Sequence, residues 1–207
     1  MLARIASHVA SAQPVVQPAA ADAPKPRVAV VCTSYFPGSH ADVVVSKFVH
    51  GFPTDEGLLA PRMQVVSMYI DQIHADDIGL QVAAEHGIAV FSSIRDALTL
   101  SGQRERSGRS VGGEHAEDMP PGAALGVDAV LLIGEHGDYP KTELGQEMTP
   151  RRYFCEQIFA VLVEAGRTDV PVYNDKHLAY RWAVRKAFLK LWRTIIWTVL
   201  PRHAGCR

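Results

Sequence analysis

Two short polar segments of this chain carry residue types that move protons, bind oxyanions or hold metals. The first is Ile133-Gly134-Glu135-His136-Gly137-Asp138-Tyr139-Pro140, in which two glycines bracket a carboxylate and an imidazole directly after an apolar run. An imidazole titrates near neutral pH, so His136 can act as general acid or base, with Glu135 or Asp138 fixing its tautomer. Equally, Gly137 and Asp138 can make a plain turn that leaves His136 solvated. The second segment is Asn174-Asp175-Lys176-His177, three consecutive ionisable residues after Val172-Tyr173. A lysine there can polarise a carbonyl or hold a cofactor ring, or it can be an ordinary loop cation.

Two further places bear on ligand binding. The segment Thr33-Ser34-Tyr35-Phe36-Pro37-Gly38-Ser39-His40 follows the first apolar run without the G-x-G-x-x-G spacing that lets backbone approach a pyrophosphate, although Gly38 and Ser39 can offer amides at a helix N-terminus. Asp71 ends the second apolar run, where a carboxylate can accept hydrogen bonds from ribose hydroxyls or merely open a turn. Lys176, His136, Asp175 and His177 are therefore the candidate catalytic groups, and Thr33, Ser34, Gly38, Ser39, Asp71, Gly134 and Glu135 the candidate cofactor contacts. His40, His136, Asp138, Asp175 and His177 form an alternative set of ligands for zinc, manganese or iron, with no local ligand motif to support it. His50, His74, His86, His115 and His203 read as helix-end or loop residues, and Trp182, Trp192 and Trp197 as packing.

These residues need a scaffold that gathers loop ends. Val28 to Val31 is a short β-branched apolar run after a Pro-containing stretch, as expected of a strand buried on both faces. From Ser39 the apolar spacing of Ala41, Val44, Val45, Phe48 and Val49 predicts a helix. Strand and helix patterns then alternate: a strand over Met63 to Ile70, a helix over Asp76 to His86, a strand over Ile88 to Phe91 and a short helix over Ile94 to Leu100. A strand over Val127 to Gly134, a helix over Arg151 to Ala165, a strand over Val170 to Tyr173 and a final helix near Leu178 complete the series. Such alternation predicts a doubly wound, mainly parallel Rossmann-like sheet with helices on both faces, and its polar strand ends are where ligands settle. Residues 1–26 read as a flexible leader, 27–185 as the domain, 101–122 as a mobile polar insert and 186–207 as a helical tail.

Composition narrows the partners. With 21 Lys+Arg against 22 Asp+Glu the formal net charge is -1, so nothing draws the chain to nucleic acid or anionic lipid. Cys32, Cys155 and Cys206 are too scattered for a disulfide framework, which points to a reducing, cytoplasmic setting. The most apolar stretch, 187–200, is broken by Lys190 and Arg193 and falls short of the roughly 20 residues a spanning helix needs. A small-molecule substrate is the expected partner, with self-association through the apolar final helix.

The stretch Pro171-Val172-Tyr173-Asn174-Asp175-Lys176-His177-Leu178-Ala179 resembles the strand and E-K-P motif of the Gfo/Idh/MocA oxidoreductases, with Asp175 at the position of the Glu and Lys176 at that of the Lys. Val127-Asp128-Ala129-Val130-Leu131-Leu132-Ile133 is similar to the fourth strand of that family's N-terminal domain. Ser39-His40-Ala41-Asp42, Gly134 to Pro140 and Asn174 to Leu178 look like segments of a divergent bacterial branch related to it. The resemblance spans residues 27–183, mostly by order of elements. It implies NAD or NADP as cofactor, hydride transfer on a sugar, polyol or related small molecule, and a catalytic role for Lys176. Members of that family also carry a second α/β domain that completes the substrate pocket.

Overall fold

The computed structural model describes residues 24–101, 124–177 and 186. The leader up to residue 23, the insert over 102–123, the helix expected near Leu178, the tail beyond 186 and all three tryptophans lie outside the described residues.

The apolar run begins where expected, as strand β1 (Arg27–Cys32), and every residue from Val28 to Cys32 is fully buried. Helix α1 (His40–Val49) follows, and a hairpin of β2 (Phe52–Thr54) and β3 (Gly57–Leu59) leads to β4 (Gln64–Ile70). Then come α2 (Gly79–His86), β5 (Ala89–Val90) and α3 (Ile94–Thr99), and beyond the insert β6 (Ala129–Ile133), α4 (Arg151–Glu164) and β7 (Val172–Asn174). Every expected element within the described residues is present, with ends shifted by one to three residues. The hairpin is an addition to the expected elements. Its strands are three mostly exposed residues each, one containing Pro53, so they carry no alternation to detect. What makes it close is local: Thr54 Oγ1 donates to the Gly57 carbonyl at 2.7 Å.

Five strands form a parallel sheet in the order β5-β4-β1-β6-β7. β1 lies at its centre, flanked by the long β4 and the wholly buried β6, and burial on both faces explains why β6 is continuous in apolar residues rather than alternating. Successive residues of β1 enter two different apolar clusters. Val28, Val30 and Cys32 pack with Ala41 and Val45 of α1 and Ala83 of α2. Ala29 and Val31 pack with Ala97 and Leu98 of α3 and with Phe154, Cys155, Ile158, Val161 and Leu162 of α4, whose spacing forms one apolar stripe.

Ser67 of β4 is the polar exception in this core, and its hydroxyl is satisfied by the Ala97 carbonyl at 2.6 Å. The two described cysteines are buried free thiols. Burial pushes Cys155 up to about 12 and raises Cys32 as well, so neither is poised as a thiolate nucleophile. Among the described residues no helix is long and apolar enough to cross a membrane.

Leu132 is fully buried at the middle of β6, where truncation leaves a cavity between β1 and α4. Leu132→Ala is expected to lower unfolding stability by about 2–5 kcal/mol in urea titration, whereas the same change at the exposed Leu144 is expected to stay within about 0.5 kcal/mol.

Candidate functional site

After β1 the chain builds outward through β4 and β5, then returns to the other side of β1 for β6 and β7. The carboxyl ends of β1 and β6 are thus the point where successive connections leave in opposite directions, the position at which open parallel sheets form a crevice. Register sets its depth: Cys32 pairs with Ile133, and Leu132 with Asn174, so the loops after β1, β6 and β7 all start level. The Thr33 amide donates to the Ile133 carbonyl at 3.2 Å, and the Asp175 amide to the Leu132 carbonyl at 3.0 Å.

Five ionisable side chains from these loops meet. His40, the first residue of α1, is hydrogen-bonded through Nδ1 to Asp175 Oδ2 at 2.8 Å, joining groups 135 positions apart in the chain. The Asp175 side chain is only 11% exposed against 39% for His40, so the contact reaches from solvent into the protein. Lys176 Nζ lies 3.5 Å from Glu135 Oε2 and 3.8 Å from Asp175 Oδ2, bridging the two carboxylates. The His136 ring is edge-on to His40, with centroids 5.7 Å apart, and edge-on to Phe36 at 5.1 Å. Phe36 also stacks at a tilt on His74, with centroids at 4.3 Å.

Backbone contacts hold this cluster in shape. Ser34 Oγ donates to the His136 carbonyl at 3.1 Å, tying the loop after β1 to the loop after β6. Arg151, at the start of α4, ties the loop after β6 to the loop after β7. Its Nε donates to the Gly134 carbonyl at 2.5 Å, and its Nη1 lies 3.2 Å from both the His177 carbonyl and His177 Nε2. The arginine stem lies so close to Gly134 that an added Cβ would stand 2.7 Å from its Cγ. The Asn174 amide side chain adds a bond to the Lys176 carbonyl.

His136, Glu135, Asp175 and Lys176 are therefore together, as their positions after neighbouring strands imply. His40, named only as a metal ligand from the sequence, is at the centre. Gly134 and His177 flank the cluster through Arg151, while Thr33 and Ser34 are buried beneath it. Donor atoms of His40, Glu135 and Asp175 all lie within 4.8 Å of one another, a spacing suited to one metal ion. Of the five ligands expected from sequence, His40 and Asp175 belong to that group; Glu135 joins them, and His136, Asp138 and His177 do not.

Asp71 belongs to a separate arrangement. Its Oδ1 accepts from Tyr69 and its Oδ2 from Tyr139, each at 2.7 Å. Burial, then the bond to Asp71, raises both phenols well above their ordinary range, so both remain donors at neutral pH. Gln72 adds two bonds to the main chain of Asp138, to its amide at 2.7 Å and its carbonyl at 3.2 Å. Together these fasten the loop after β6 across the end of β1 to the end of β4.

At the start of α1 the amides of Phe36, Gly38, Ser39 and Asp42 are also occupied. The Gly38 N–H donates to Asp42 Oδ2 at 2.9 Å, the Ser39 N–H to the Phe36 carbonyl at 3.0 Å, and the N–H groups of Phe36 and Asp42 share Ser39 Oγ at 3.2 Å. Ser39 is thus an N-cap, with Asp42 as the acid of the first turn reaching back, and a carboxylate already stands where a phosphate would approach. Sequence reasoning passed over Arg151, Phe36, His74, Tyr69, Gln72 and Tyr139. Apart from Tyr69, which bonds Asp71 two positions on, each matters through a partner that only folding supplies. No family model, curated protein or solved structure matches this chain.

Tyr139→Phe is expected to cost about 1–3 kcal/mol of stability, measured by urea unfolding, because it removes a bond to a carboxylate that stays partly buried. Gly137→Ala is expected to be worse than Tyr139→Phe, since Gly137 has φ +153° and an added Cβ would run into the Tyr139 ring.

Proposed function

We propose that this chain is a metal-dependent hydrolase or lyase, built on a doubly wound Rossmann-like domain and acting on a small molecule at the crevice between β1 and β6. The observation that carries the proposal is the convergence of His40, Glu135 and Asp175 from three separate loops to within 4.8 Å. One imidazole and two carboxylates are a nitrogen and oxygen donor set of the kind that zinc, manganese or iron accepts. The doubly wound arrangement is supported by the partition of β1 side chains between a cluster with α1 and α2 and another with α3 and α4.

A divalent ion held there would supply Lewis-acid polarisation of a substrate oxygen or an activated water. The residues of the chain do the rest. Ser34 and Arg151 hold the loops that carry Glu135 and Asp175, and Phe36 braces the His136 ring beside the crevice. Lys176 stands between the two carboxylates, so its ammonium would compete directly with an incoming cation.

A second reading, NAD- or NADP-dependent hydride transfer of the Gfo/Idh/MocA kind, is favoured by the strand order and by the place of Lys176 in the cluster. It has less support because the amides of Gly38 and Ser39 are taken within their own turn and both oxygens of Asp71 are engaged by tyrosines. In that reading Asp71 contacts ribose only after Tyr139 releases it.

Calorimetric titration of the chelator-stripped chain separates the two. Zinc or manganese is expected to bind at one site, Glu135→Gln and Asp175→Asn to weaken it by about tenfold or more, and Lys176→Ala to tighten it. A rise in melting temperature with NAD(H) or NADP(H), without any metal binding, would transfer the assignment to the oxidoreductase.

A further inference from the structure

The cluster contains more positive charge than its acids can balance once a metal is present. Without a metal, Lys176 is neutralised by Glu135 and Asp175. A divalent ion held by His40, Glu135 and Asp175 neutralises both carboxylates itself and leaves the Lys176 ammonium without an anionic partner. Arg151 is in that condition already. Among the described residues its guanidinium bonds to the Gly134 carbonyl, the His177 carbonyl and the His177 ring, and it has no carboxylate partner there. Nη2 makes none of these bonds. The remaining Arg of that turn, Arg152, is paired with Glu156 at 2.6 Å, and Arg95 and Arg167 are paired with Glu164 and Asp169.

Arg151 is also positioned by more than its charge. It binds the residue just before Glu135 and the residue just after Lys176, so it spans the two loops that carry the cluster, and its stem uses the space left open at Gly134. A guanidinium presents planar paired donors that match carboxylate and phosphate oxygens, while an ammonium contributes a point charge.

We infer that the substrate of this site carries an oxyanion, a carboxylate or a phosphate group, which Arg151 and Lys176 bind beside the metal held by His40, Glu135 and Asp175. The inference rests on the metal-dependent reading. Its distinctive consequence is a coupling: metal occupancy releases Lys176 from its carboxylates, so anion affinity must rise when the metal is bound, and metal affinity must rise equally when the anion is bound.

The test is calorimetry on the full chain, metal-free and loaded with zinc or manganese, with inorganic phosphate and malonate as separate probes. At least one probe is expected to bind the loaded chain about tenfold more tightly than the metal-free chain, and Arg151→Gln and Lys176→Gln are each expected to weaken it by about tenfold while metal binding persists. Phosphate binding without malonate binding identifies a phosphorylated substrate class; the reverse identifies a carboxylate. Metal binding with neither probe recognised, or with affinities unchanged in both variants, overturns the inference and leaves the metal-dependent reading standing. Failure of the metal itself to bind overturns both. Because Arg151 also ties two loops together, Arg151→Lys serves as a second variant: a fold kept intact by thermal melting, with probe binding as tight as in the parent, would show that the guanidinium has no recognition role.

Discussion

Parallel pairing of β6 with both β1 and β7 is the constraint on which the site depends. It brings Cys32 level with Ile133 and Leu132 level with Asn174, so that loops more than 100 residues apart in the chain begin at one edge. A shift of one residue in either pairing would turn each strand's side chains to the opposite face and carry Glu135 or Asp175 away from His40. The register is held by burial, since all five residues of β6 and five of the six in β1 are removed from water. The same apolar contacts that stabilise the core therefore set the distance between His40 and Asp175.

Charge at the crevice is organised around the scarcity of water. Asp175 has little exposure, and a carboxylate in that position requires partners; it has an imidazole on one side and an ammonium on the other. Glu135 shares the ammonium, which makes Lys176 the centre of a small network rather than one half of a surface pair. At the end of β4 the chain solves a similar problem differently. Asp71 is satisfied by two neutral phenols, and that neutral arrangement works as a fastener between β4 and the loop after β6. The two acids thus differ in what surrounds them: an imidazole and an ammonium at Asp175, two phenols at Asp71.

The alternation of strands and helices was legible because apolar runs of four or more residues and 3.6-residue stripes are properties of neighbouring positions in the chain. The switch-point location of Glu135, His136, Asp175 and Lys176 was legible for the same reason: each stands directly after an apolar run, and parallel order sends all such ends to one edge. The hairpin of β2 and β3 was not, since three mostly exposed residues per strand carry no period. The partners of Asp71 were not either. An acid at a strand end looks the same whether it awaits ribose or is closed by Tyr139, 68 positions onward. Gly38 and Ser39 likewise read as open amides until Asp42 is seen to accept from the one and the Phe36 carbonyl from the other.

By itself the sequence determined the elements, their parallel order and the short list of polar loop ends, because these follow from local periodicity and from the geometric need to cross over between parallel strands. Only the tertiary structure decided which of those polar groups touch. It chose His40 rather than His136 to bond Asp175, gave Lys176 two acids and, among the described residues, left Arg151 with none. Such choices depend on differences of one or two ångströms between loops distant in the chain, and no spacing along the polypeptide encodes a distance across it.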